Sequence, residues 1–456
     1  MTFEEFKNEI FENIKSKKLD GAELYKKRKI KSSMSTFQGK IDRFSESDTF
    51  GISFKVIKNK KAGYSYTEIM NSDSSKRLVE DAIDNLEITV SDYEEELFNG
   101  SSEYPGIKNA YVGAFESLTP DDKFKKLNEF VKGIENSDER IVFVPVNGVS
   151  HDTQEIRIVN TEGLDVSFKH DGGYIYAMAV GKEGDSTKTG VAVDISKDPE
   201  KFKIKKLIDR ISSDIRYSLG AKPVKSGKYD LIIRNNILGE FLLTFMQMFS
   251  AESIQRGFSP LESKLNQMVA NKSVTLIDDP LLTDSAVSRA FDDQGVPTKK
   301  KTLIENGKMT TYLYDLRTAK KDGVKSTGNA IKLRDYTDKP SIMPFNVVLK
   351  PGEKNFEELV KTLDNGIVIT SLDGLHSGAD NVTGEFSLGA SGFLVENGKI
   401  VRGVEEITVS GNFLSLLEKI DVVGNDSVFS SQGLLGDNVL AYVPSVIVKN
   451  MDIAGS

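Results

Sequence analysis

Three histidines occur in the chain, His151, His170 and His376, and no two are three, four or five residues apart. No helix can therefore offer a histidine pair to one metal ion, the arrangement that zinc peptidase helices use. His151 and His170 are each followed by aspartate in strand or loop context and read as surface or hydrogen-bonded side chains. His376 lies in DGLHSGAD, a loop whose glycines let a ligand come close to the backbone. Two acidic pairs stand out, in LIDDP (276–280) and FDDQG (291–295). Paired carboxylates can share a proton or hold calcium. The same residues also make turns, and no partner constellation accompanies them, so turns are the simpler reading. GAKPVKSGKY, from Gly220, superficially suggests a phosphate loop, but its glycines are too far apart and Tyr229 stands where Ser or Thr would hold magnesium. No serine elbow of the G-x-S-x-G kind is present.

One stretch is unusual for another reason. FLLTFMQMFSAES, residues 241–253, has the look of a helix that is apolar almost all the way round, with Thr244 and Gln247 as its polar members before Ser250. A surface helix would carry one polar face, so this one is expected to be buried.

The elements that position these residues follow from composition and pattern. At 456 residues the chain is long enough for about three units of roughly 150 residues. It has no cysteine, which excludes disulfides, thiolate metal ligands and a cysteine nucleophile and fits a reducing cytoplasm. The net charge of −8 comes without a long basic stripe, so nucleic acid is not expected as a direct partner. The N-terminal segment lacks the pattern of a secretory signal, and no apolar run reaches the roughly 18 residues needed to span a bilayer.

Thr2 and Glu5 form a capping box ahead of a helix whose buried face is Phe3, Phe6, Ile10, Phe11 and Ile14. GISFKVIKNKKAGYSYTE reads as two strands, SSKRLVEDAIDNL as a helix, and residues 91–115 as a loop. Thr119–Pro120–Asp121–Asp122 opens a second unit with a capped helix; three strand-like stretches and a helix from Asp198 complete it. The third unit starts with the strand YDLIIRN, passes into the apolar helix, and is then mostly short strands. TLIENGKMTTYL (302–313) and FLVENGKIVRGV (393–404) both place Asn–Gly between alternating apolar residues, the signal of a two-residue hairpin. FLSLLEKI (413–420) reads as a short helix. The expected fold is α+β: N-terminal α/β units at 1–115 and 116–225, then a strand-rich domain at 226–456 with a buried helix.

FDDQGVPT (291–298), KSTGNA (325–330), TGEFSLGASGFLVENGKI (383–400), EEITVSGNF (405–413) and VVGND (422–426) together resemble the TldD/PmbA family, once called modulators of DNA gyrase. The order and spacing of five motifs carry the resemblance, which covers the third unit and extends more weakly over the first two. In one branch, TldD, the family has a zinc peptidase helix with H-E-x-x-x-H and a further cysteine ligand near the C-terminus. The other branch, PmbA or TldE, lacks these ligands and pairs with TldD. Counting back without gaps from Arg256–Gly257, the first histidine position holds Leu243, the glutamate position Thr244 and the second histidine position Met248. The cysteine position falls at Ser430 or Ser431. None of these is a good zinc ligand, and Thr244 cannot serve as a general base.

The resemblance thus implies a PmbA/TldE-like subunit with no metal of its own, and zinc only in a TldD-like partner. Together the two would form a cytoplasmic peptidase dimer acting on peptides or small unfolded proteins, as in peptide maturation. No catalytic residue is assigned. Asp292, Asp293, Asn329, His376, Glu385 and Ser387 are candidates for contacting a peptide. The alternative is a non-enzymatic homodimer that binds peptides or aids assembly.

Overall fold

The computed structural model describes residues 1–431 and 438–456; residues 432–437, within the third sequence unit, lie outside the described residues. The fold is α+β. An antiparallel sheet of six strands opens it, in the order Lys61–Thr67, Lys40–Lys58, Gly21–Phe37, Ile141–Asn160, Asp165–Glu183, Ser186–Ser196. It crosses residue 115 without a break, because Gly21–Phe37 pairs with Ile141–Asn160 from Glu23↔Asn160 to Met34↔Val149. The two N-terminal sequence units are therefore joined as halves of one sheet.

Register divides the faces of this sheet. Leu24, Met34, Val149, Val159, Ile175 and Ala177 point to one side. There they meet four helices, Phe3–Ile14, Ser72–Ile88, Pro120–Glu135 and Ile204–Ser218, in two separate apolar clusters. The expected capping box is present at Thr2/Glu5, and the expected N-cap at Thr119 forms a second one with Asp122. The helix expected from Asp198 is divided: Pro199–Lys201 makes a single 3-10 turn, and the α-helix begins only at Ile204. The opposite face is covered over part of its length. Tyr25, Ile156 and Ile158 there pack against Ala290 and Phe291 of the third unit.

The third unit contains two further six-stranded sheets. In one, strands Gly227–Ile233, Gly366–Asp373, Glu385–Glu396, Lys399–Asn412 and Val446–Ala454 close into a ring, because the last two also pair with each other. Ile420–Val423 pairs with the start of Val446–Ala454, on the edge opposite Gly227–Ile233. The other sheet runs Lys308–Met309, Lys301–Glu305, Leu276–Asp278, Asn346–Leu349, Leu440–Val443, Val428–Ser430. Both Asn–Gly hairpins form, with φ of +47° and +84° at Asn306–Gly307 and +50° and +68° at Asn397–Gly398, left-handed values that these residues tolerate. The short helix appears as Phe413–Lys419, capped by Asn412.

The apolar stretch is buried as expected but is not one helix. An α-helix covers Asn235–Thr244, a 3-10 turn Met246–Phe249, and a short helix Ala251–Gln255. The break has one local and one distant cause. The Thr244 hydroxyl donates to the Glu240 carbonyl at 2.9 Å, a back-bond that weakens a helix end. Leu313 N–H donates to Phe249 C=O and Ala251 N–H donates to Leu313 C=O, drawing the chain into a strand-like contact where a helix would continue.

Candidate functional site

The helix Asn235–Thr244 is fixed at its start by polar contacts. Asn235 N–H donates to Ser445 Oγ, and the Asn235 side chain donates to the Asp426 carbonyl. Asp426 in turn accepts from Ser445 N–H and Oγ–H at 2.8 and 2.7 Å. The VVGND motif therefore ends in a clamp on this helix. Arg234 adds a two-pronged pair to Asp214 at 2.7 and 2.8 Å, which ties the helix to Ile204–Ser218.

Beyond that clamp the segment is hydrocarbon. Phe245 stacks on Phe413 with ring centres 4.6 Å apart, and Phe241 meets Phe386 edge-on at 5.0 Å. Leu243 and Met248 are buried within the same cluster. Ser430 is buried against Gly239, one turn before Leu243. A Cβ on Gly239 would lie 1.8 Å from Ser430 Oγ, so only glycine permits this approach. Among the described residues the Ser430 hydroxyl has no hydrogen-bond partner.

These residues do not fit a zinc ion. Leu243 has no donor atom, Met248 offers a thioether, the Thr244 hydroxyl is turned back onto its own helix, and Ser430 offers a hydroxyl. Among the described residues no group of three or more metal-ligating side chains comes together anywhere. One carboxyl remains on the helix. Glu240 is half-buried, and burial alone pushes it up to about 7.

The structure divides the six peptide-contact candidates in two. Asp292, Asp293 and Asn329 are buried where the third unit meets the sheet. Asp292 accepts from the N–H groups of Gln294, Val296 and Ala330; burial nevertheless pushes its carboxyl up to about 7. Asp293 accepts from Tyr25 Oη–H at 3.0 Å, Arg289 at 2.8 Å and Lys332 N–H at 2.6 Å. Asn329 donates to Asp278 and to the Met343 carbonyl. The FDDQG and KSTGNA motifs thus build a buried polar junction, and Tyr25 and Arg289 are members of it that their surrounding sequence does not mark. Glu385 and Ser387 instead line an open groove of about 610 Å³ at the end of the ring, with Asp380, Ser410 and Asp452, and His376 is exposed beside it.

The other two histidines are not on the surface. His151 is buried and stacks on Phe115 at 5.3 Å; burial pushes it down to about 4, assisted by the nearby Lys123 charge. His170 is buried and hydrogen-bonded through Nδ1 to the Ala286 carbonyl at 3.0 Å.

Comparison with known proteins gives a consistent result. Residues 226–455 match the PmbA/TldA metallopeptidase C-terminal domain, 22–86 domain 1 and 113–215 the central domain of the same family. A Thermotoga maritima protein described as a proposed modulator of a DNA gyrase is 36% identical, with 99% of this chain and 100% of that one covered at a TM-score of 0.89. TldE from Thermococcus kodakarensis shares the fold at 24% identity and a TM-score of 0.88, covering 98% and 99% of the two chains. A metalloprotease of Methanothermobacter thermautotrophicus is 28% identical over 87% of this chain and 86% of its own.

Proposed function

This chain belongs to the PmbA/TldD metallopeptidase family, and we propose that within it the chain is a subunit without a metal, of the TldE kind. A TldD-like partner supplies the zinc and the base, and the pair cleaves peptides or small unfolded proteins in the cytoplasm. The observation that carries this reading is the character of the ligand positions. Leu243 and Met248 are core side chains, buried in the same apolar cluster as Phe241, Phe245 and Phe413, and neither is a good zinc ligand. The likeness in fold to TldE supports it, as does the lack of a donor cluster among the described residues. No helix of the described residues is long and apolar enough to cross a membrane, which is compatible with the proposed location.

The test is peptidase activity on an unfolded peptide, measured with metal content for this chain, for its organism's TldD-like protein, and for the mixture. Activity only in the mixture, with zinc tracking the partner, is the expected result. Zinc-dependent turnover by this chain alone would overturn the reading.

A further inference from the structure

A crevice opens where the third unit lifts away from the uncovered face of the first sheet. Its volume is about 460 Å³. One wall is the edge strand Ser186–Ser196, which presents Val191, Val193 and Ile195; the other is Ala286, Val287 and Leu440 of the third unit. Val191 and Val193 are 52% and 38% exposed, a large apolar exposure for a sheet face. Tyr174 and Tyr176 line the crevice and also a neighbouring hollow of about 610 Å³. Gly172 allows the geometry: a Cβ there would stand 2.3 Å from Ala286 Cβ, so a larger residue would prop the third unit off the strands.

The polar groups of the floor share one property. Gln154 and His170 are cross-strand neighbours and both are 2% exposed. The Gln154 side-chain N–H donates to Asp152 at 2.7 Å, which leaves Gln154 Oε1 without a partner among the described residues. A carbonyl only accepts, so the bond to Ala286 fixes the proton on His170 Nδ1 and leaves Nε2 as a lone pair, also without a partner there. Burial, reinforced by the Arg289 charge, holds this histidine well below its usual range and therefore neutral. Asp152 is countered by Lys29 at 3.5 Å, so the floor does not call for a cation. Two buried acceptors lacking donors, beneath apolar walls, specify a ligand that is apolar and carries neutral N–H groups.

We infer that this crevice binds an extended apolar peptide segment, its side chains against Val191 and Val193 and its backbone N–H groups toward Gln154 and His170. The inference deepens the peptide-handling role proposed above by giving this chain its own peptide site, distinct from the barrel-end groove at Glu385 and Ser387. It also accounts for a buried histidine that no metal or catalytic role uses.

The experiment is calorimetric titration of the full chain at pH 7.5 with acetyl-Leu-Ala-Leu-Ala-Leu-amide, and with the same peptide methylated on its backbone nitrogens. N-methylation keeps the apolar body and removes the donors. Saturable binding of the first peptide, weakened at least tenfold by N-methylation, is expected. Val193→Glu, at an exposed position that leaves the melting transition in place, should weaken binding at least tenfold, and Gln154→Leu several-fold. Absence of saturable binding, equal binding of the methylated peptide, or full binding by Val193→Glu would each overturn the site. The peptidase test is independent of this one: activity in the mixture without binding here would remove the site and keep the subunit role, and the converse would keep only the site.

Discussion

Two buried regions of the third unit solve opposite problems. The segment from Asn235 to Phe249 fills its space with phenylalanine, leucine and methionine. The junction fills its space with charge: Tyr25, Arg289 and the Lys332 N–H converge on Asp293, and Asn329 and Lys301 converge on Asp278. The first lies where the family resemblance places metal ligands, and it holds Leu243 and Met248 at those positions. The second carries the most recognisable motifs and uses them to hold the third unit to the sheet. A signature motif can therefore mark a load on the architecture, while a position where a family carries ligands can be ordinary core.

This contrast can be broken most directly at Asp293. Asp293→Ala leaves Arg289 buried without its carboxylate, and an unpaired buried charge costs about 3–5 kcal/mol. Urea unfolding should show that loss, and limited proteolysis should cut the 91–115 loop sooner, since Tyr104 of that loop is anchored on the Gly295 carbonyl. On the apolar side, Phe245→Ala opens a cavity against Phe241 and Phe413 and should cost about 3–5 kcal/mol, with the loop no more easily cut. Identical proteolysis patterns for the two variants would mean that the regions are one cooperative unit and not two.

A smaller effect separates shape from polarity. Gly239→Ala should cost about 1–3 kcal/mol by overpacking against Ser430. Adding Ser430→Ala removes the 1.8 Å contact and leaves 3.1 Å to that Cβ, so the double variant should recover most of the loss in a melting experiment. The smallest effect concerns Glu240. Its carboxyl is raised to about 7 in the folded chain from an ordinary 4.5, so the folded state favours the protonated form. The stability this gives is complete below pH 4.5 and disappears as pH rises through 7. Glu240→Gln should therefore match the wild type near pH 4.5 and exceed it by about 1–2 kcal/mol at pH 8. A constant difference across that range would show that burial does not control this group.

Much of the fold was legible in residues with strong local preferences. Thr2, Thr119 and the two Asn–Gly turns act within a few residues of themselves, and each does in the structure what its local chemistry implies. The long hairpin from Gly21 to Lys58 was legible only from Gly51 onward. Gly21–Tyr25 is buried on both faces and Lys40–Thr49 is exposed on both, so neither shows the alternation of a half-buried strand. The apolar stretch announced its burial through composition. Its break at Thr244 depends on Leu313, some seventy residues away, and no local pattern contains that. The same holds at the crevice: His170 and Gln154 become neighbours only through strand pairing, and Ala286 reaches them only through the third unit.

Closure of the ring has a consequence for how the chain is made. Strand Gly227–Ile233 needs Val446–Ala454 on one side, more than two hundred residues later. During synthesis at about 5–20 residues per second, that wait is on the order of tens of seconds. The first sheet is complete at Ser196 and can form well before this. The nascent third unit must keep its phenylalanine-rich segment out of wrong contacts until its final stave arrives. Chaperone dependence during biogenesis should therefore be concentrated on the C-terminal half.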